Sequence, residues 1–169
     1  MSHARHAFFA MMFAASAATA QADAIGAASG LPVPRFVSLK ADKVNVHVGP
    51  AKTYDVKWVY QRAGLPVEIT AEFENWRRIR DADGTEGWIY HSLLSGRRTG
   101  QVTSKAKDAL VPLYEKTDSE SAVTAKLEPG VLATVKRCST GWCYVTGRGF
   151  EGWIQQVRLW GVYANEKVE

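Results

Sequence analysis

The chain has only two cysteines in 169 residues, and both lie in the six-residue stretch Cys138-Ser139-Thr140-Gly141-Trp142-Cys143. Two thiols supply too few ligands for a zinc centre. Their C-x4-C spacing also differs from the C-x-x-C of thioredoxin-like redox sites. Charge of one sign is scarce too: 21 basic against 17 acidic residues leave a formal net charge of +4, far from a nucleic-acid footprint. The basic runs "RRIR" and "GRRTG" read better as solvated surface and tether. Histidine is nearly absent after residue 20, with His47 and His91 alone. There is no Gly-x-Ser-x-Gly elbow and no His-Glu-x-x-His helix. A Cys–His hydrolase needs a thiolate beside an imidazole, and the half of the chain that holds Cys143 has no histidine. Asp81 and Asp83 are turn acids. No catalytic residue, metal site or cofactor is expected.

Long apolar runs are missing as well. The run from about Phe8 to Ala18 is too short for a mature membrane anchor. It follows a short basic start (His3, Arg5, His6) and precedes the small residues Ala18-Thr19-Ala20. That is the build of a secretory signal peptide over residues 1–20, cleaved near Ala20 or Ala22. The expected product is a periplasmic or secreted protein without membrane insertion, in an oxidising compartment. Removing residues 1–20 takes away Arg5 and no acid, leaving +3.

What is present is a repeat. "NWRRIRDADGTEGWIYHSLL" (75–94) aligns with "GWCYVTGRGFEGWIQQVRLW" (141–160), so that Trp76 falls on Trp142 and Ile79 on Val145. After a one-residue deletion, Glu86-Gly87-Trp88-Ile89 falls on Glu151-Gly152-Trp153-Ile154; upstream, Gly64 falls on Gly130 and "PVEIT" on "LATVK". The resulting division is a flexible N-terminal segment over 21–35, units over 36–95 and 104–163, a linker over 96–103 and a tail over 164–169. Within each unit the segments are short, β-branched and aromatic, and turn sequences such as "DADG" and "TGRG" bound them. No stretch carries a helical period over 11–18 residues. Each unit therefore reads as a small, strongly bent β-barrel. A domain of this size is marginal alone, and the short linker suggests that the two pack together.

The ordered blocks "VNVHVGPAKTYDV", "WVYQRAGLPVEI", "WRRIRDADGTEGW" and "LWGVY" resemble the bacterial SH3-like domain, with its N-V-R-x-G-P opening and closing Gly-Trp-Val/Ile. The resemblance is closer still to tandem, signal-peptide-bearing proteins of the alphaproteobacterial type. The resemblance implies an all-β fold of two small SH3-like β-barrels in tandem after a cleaved signal peptide. It also implies a binding role, often toward cell-wall peptides, rather than an enzyme activity. His47 stands where the family usually has Arg, and the second unit lacks the Gly-Pro of the opening.

Trp88 and Trp153 each follow a glycine in a strand-like segment, and they either fill the barrel wall or floor a groove. In the groove reading, Tyr54, Trp76 and Tyr90 join Trp88 in the first unit, and Trp142 lies beside Trp153 in the second. Strand alternation over "WRRIR" places Ile79 on the core side and Trp76, Arg78 and Arg80 on the accessible side. There the two arginines either pair with ligand carboxylates or form a solvated charged face. The candidate partner is a cell-wall peptide or glycan. The alternative is another envelope protein, with the chain acting as adaptor or assembly factor.

The repeat alignment also bears on the cysteines. Cys138 falls on Glu72 and Cys143 on Arg77. Thiols in one unit thus replace an acid and a base in the other, which fits positions facing each other across a hairpin. The expectation is a disulfide between Cys138 and Cys143 around a four-residue loop, Ser139 to Trp142, with Gly141 at the awkward φ.

Overall fold

The computed structural model describes residues 24–106 and 109–169. The expected signal peptide and its cleavage positions lie outside the described residues. A two-stranded hairpin comes first, with β1 (Ala24–Ile25) paired to β2 (Pro32–Val33). Two seven-stranded antiparallel sheets follow. The first holds β3 (Arg35–Leu39), β4 (Val44–His47), β5 (Val56–Tyr60), β6 (Pro66–Phe73), β7 (Trp76–Arg80), β8 (Glu86–Tyr90) and β9 (Leu94–Ser95). The second holds β10 (Thr99–Val102), β11 (Val111–Tyr114), β12 (Val123–Leu127), β13 (Leu132–Ser139), β14 (Trp142–Gly147), β15 (Phe150–Gln155) and β16 (Leu159–Trp160). Strand order is β5-β4-β8-β7-β6-β3-β9 in one and β12-β11-β15-β14-β13-β10-β16 in the other. Every strand of the first sheet thus has a counterpart seven strands later. A single 3₁₀ turn, His91–Leu93 or Gln156–Arg158, precedes the last strand of each.

Alternation in the sequence sets what each sheet buries. Val44 and Val46 of β4, Val67 and Ile69 of β6, Ile79 of β7 and Ile89 of β8 form one core; Val111, Leu113, Val135, Val145 and Ile154 are in the other. Each sheet bends round its own core. Register shifts between Ile69 and Ala71 and between Val135 and Arg137 fall at equivalent places in the two repeats, and such bulges sharpen local twist and curvature. The glycine of each Glu-Gly-Trp-Ile motif permits a close approach. A Cβ on Gly87 would run into Val46 Cγ1, and one on Gly152 would lie 2.6 Å from Thr124 Oγ1 and 3.0 Å from the Tyr114 carbonyl oxygen.

Three expected boundaries need correction. The segment 21–35, expected to be flexible, forms the β1–β2 hairpin from Ala24 and enters β3. The expected linker, 96–103, contains β10, which pairs with β13 and β16. The expected tail, 164–169, docks on the second sheet: Cys138 N–H donates to Val168 O at 2.9 Å, and Val168 N–H donates back to Cys138 O at 3.2 Å. In each case a neighbouring strand supplies backbone partners that local composition does not reveal.

The two repeats pack on each other. Phe36 of β3 sits between Trp160 (ring centroids 5.0 Å) and Tyr163 (4.7 Å). Trp160 Nε1 donates to Pro66 O at 3.1 Å, and Thr99 Oγ1 donates to Gly64 O at 2.8 Å. Tyr163 also donates its hydroxyl to the buried carboxylate of Glu68 at 2.9 Å, which Arg80 Nε reaches at 2.9 Å from the other side. Burial, and then the bond to Glu68, hold the Tyr163 hydroxyl well above the usual phenol range. The "LWGVY" block therefore clamps one repeat to the other.

Candidate functional site

The accessible face of β4, β8 and β7 carries the aromatic residues of the first repeat. Residues directly opposite on antiparallel strands project to the same side, and Trp76 faces Tyr90, Arg78 faces Trp88 and His47 faces Trp88. Trp76 packs edge-on against His47 (5.2 Å) and Tyr90 (5.5 Å). Together with Lys43, Asn45, Lys52, Ser92 and Leu93 they line an open groove of about 630 Å³. His47 Nδ1 is 2.8 Å from the Tyr54 carbonyl oxygen, to which its N–H donates; this bond orients the ring over Trp76. Lys52 Nζ lies 5.8 Å from the centre of the Tyr90 ring.

Of the expected first-repeat residues, the groove brings together Trp76 and Tyr90. Tyr54 lies in the loop before β5, half exposed, with its ring covering Gly49. Trp88 is on the same sheet face but outside the groove. Arg78 is ion-paired to Glu86 and Arg80 to Glu68; both arginine side chains are half exposed, and neither lines the groove. Lys43, Asn45, Lys52, Ser92 and Leu93 were not singled out from the sequence. The outward phase of "VNVH" points to Asn45 and His47, whereas Lys52 and Ser92 reach the groove from a loop and a 3₁₀ turn that carry no period.

The second repeat has a smaller groove at the equivalent place, about 290 Å³, lined among others by Lys105, Leu110, Pro112, Tyr114, Gln155 and Arg158. Tyr114 takes the position of His47 and Gln155 that of Tyr90. Trp142 packs edge-on against Tyr114 at 5.5 Å, behind the groove wall. Trp153 pairs with Tyr144 (5.4 Å), and the Arg137 guanidinium covers both rings at 5.0 and 5.2 Å. That aromatic face is therefore already occupied by the chain's own cation.

The hairpin that joins β13 to β14 ends in the disulfide Cys138–Cys143. The two residues are direct partners in the ladder. Cys138 turns both its backbone groups away, toward Val168, so the pair is of the non-hydrogen-bonded kind, in which the chains approach closely; its Cα–Cα distance is 4.1 Å. The expected four-residue loop is shorter in fact. Ser139 pairs with Trp142, leaving a two-residue turn with Thr140 at φ 49° and Gly141 at φ 81°. Two consecutive positive φ values are what a tight hairpin turn asks for. Trp142 is consequently a strand residue.

At the matching place in the first repeat, Glu72 faces Arg77, with Arg77 Nε 3.3 Å from Glu72 Oε1. The Glu72 side chain is 1% exposed and gathers further donors. These are Arg35 and Ser29 Oγ on Oε1, both at 2.7 Å, and the amides of Ala28 (3.1 Å) and Ser29 (3.0 Å) on Oε2. Burial pushes its pKa up, but the bonds from Ser29 and Arg35 and the charge of Arg77 outweigh that and hold it at about 2. Among the described residues no group of three or more His, Cys, Asp or Glu is placed to hold a metal ion. No helix there is long and apolar enough to cross a membrane.

Duplicated bent sheets, each with a groove on its accessible face, define a tandem of small β-barrels. The chain belongs to the bacterial SH3 domain family, whose model matches twice, over residues 40–96 and 107–161. Domains of this family are binding domains, commonly of the cell wall, generally non-catalytic and often found in exported proteins. No curated protein matches the chain. Among solved structures, those of NlpC2 and NlpC1 from Trichomonas vaginalis are similar at 12% and 14% identity. Their TM-scores are 0.32 and 0.33, and the matches cover 76% and 80% of this chain. The chain spans 48% of the length of each.

Proposed function

We propose that the chain is an exported, non-catalytic binding protein that recognises cell-wall peptide through the groove of its first repeat. The observation that carries this reading is the groove itself. Trp76, Tyr90 and His47 make an aromatic floor that the fold holds ready before any ligand arrives, and Asn45 and Ser92 offer amide and hydroxyl groups at its edge. An extended peptide laid on such a surface forfeits little freedom that the protein has not already given up. Family membership supports the same reading, since bacterial SH3 domains are commonly cell-wall binders. The disulfide favours an oxidising compartment, in keeping with export. Co-sedimentation with purified sacculi tests the proposal. The wild-type protein is expected in the pellet, and Tyr90→Ala, with an unchanged melting temperature, in the supernatant. A wild-type protein that stays in the supernatant would refute it.

A further inference from the structure

The charges around the first groove identify a chemical preference that aromatic lining alone does not. Lys43 and Lys52 both line it, and among the described residues no Asp or Glu does. The other strand cations of this repeat already have partners: Arg78 pairs with Glu86 and Arg80 with Glu68, Arg35 and Arg77 share Glu72 on the opposite face, and Lys57 donates to the Glu86 carbonyl oxygen. Among the described residues neither Lys43 nor Lys52 has a carboxylate within ion-pairing distance. Two unpaired ammonium groups beside an open aromatic floor form a local positive field without an internal counter-charge.

The second groove repeats the property with different residues. Its described lining carries Lys105 and Arg158 and no acid. Leu110 stands where the first repeat has Lys43, and Arg158 stands where the first has Leu93. Positive charge is thus found in both grooves although the positions that carry it have changed, which simple copying of one unit into two does not produce.

We propose that the groove of the first repeat binds its peptide by a free carboxylate, with Lys43 and Lys52 supplying the charge and Trp76 and Tyr90 receiving the chain behind it. This rests on the cell-wall reading above and adds the ligand group recognised. Lysine suits the task, since its compact ammonium on a flexible stem can follow a carboxylate without demanding a fixed planar geometry.

The test compares retention on native sacculi with retention on sacculi whose carboxylates have been amidated with carbodiimide and ethanolamine. Full binding to native and about tenfold weaker binding to amidated sacculi is expected, from two exposed charge contacts acting together. The double variant Lys43→Gln/Lys52→Gln should lose about the same factor on native sacculi, and Lys43→Arg/Lys52→Arg should regain most of it. Lys126→Gln/Lys136→Gln, which removes equal charge from exposed positions outside both grooves, should bind like wild type. Equal retention on native and amidated sacculi, or a control variant as weak as the groove variant, overturns the carboxylate assignment while leaving cell-wall binding intact. Retention on neither kind overturns both.

Discussion

The hairpin tips of the two repeats occupy the same place in the same sheet, yet one is held by charge and the other by a covalent bond. In the second repeat Cys138 and Cys143 close on each other. Their side chains are then spent, and only the backbone of Cys138 remains to dock Val168 of the C-terminal segment. In the first repeat Glu72 bonds not only to Arg77 opposite but also to Ser29, Ala28 and Arg35. A carboxylate has several acceptor sites, so the ionic staple also latches the N-terminal hairpin. The disulfide trades that reach for independence from pH and salt. One backbone frame therefore accepts two chemistries, and the difference lies in what else each can hold.

Breaking the ionic staple should have the largest effect. Glu72→Ala leaves two largely buried guanidinium groups and the Ala28 and Ser29 amides without their acceptor, at a cost of about 3 kcal/mol. Hydrogen exchange should then show the amides of Ala28 and Ser29 losing protection, with the second repeat unaffected. Acid offers the same test without mutation. The folded-state pKa of Glu72 lies below its unfolded value, so its stabilisation is complete above about pH 4.5 and lost as pH falls toward 2. Protection of the hairpin amides should fade over that window, while the Cys138–Cys143 link persists.

Opening the covalent staple comes next. Cys138→Ser/Cys143→Ser should lower stability by about 2 kcal/mol, the chain-entropy value for so short a closed loop. Reductant should lower the wild-type melting temperature to that of the variant, and the variant itself should not respond. The smallest effect concerns what the repeats share: Tyr163→Phe removes one hydrogen bond to Glu68 across the interface and should cost about 1 kcal/mol by denaturant titration.

Much of this was legible before any coordinates. The repeat alignment placed Ile79 and Val145 in their cores and set Glu72 and Arg77 opposite each other, because a period-two pattern determines facing once the register is known. From that same register came the disulfide. The turn was misjudged by two residues, since nothing local distinguishes a paired Ser139–Trp142 from a loop. Docking of the N-terminal hairpin was invisible for another reason: its anchor, Glu72, lies more than forty positions away. The groove was half legible. Trp76 and Tyr90 announced themselves as aromatic residues on an outward phase, but Lys52 and Ser92 reach it from irregular segments. Trp88, Arg78 and Arg80 share the face yet lie outside the groove, and the arginines' partners Glu86 and Glu68 become evident only in three dimensions.

The most direct measurement of the central claim is amide and indole shift mapping of the protein during titration with muropeptides released from sacculi. The account predicts perturbations concentrated at Asn45, His47, Trp76 and Tyr90, with the Trp88 indole nearly still. Perturbations centred on Trp88 and Arg78, or none at saturating muropeptide, would contradict it.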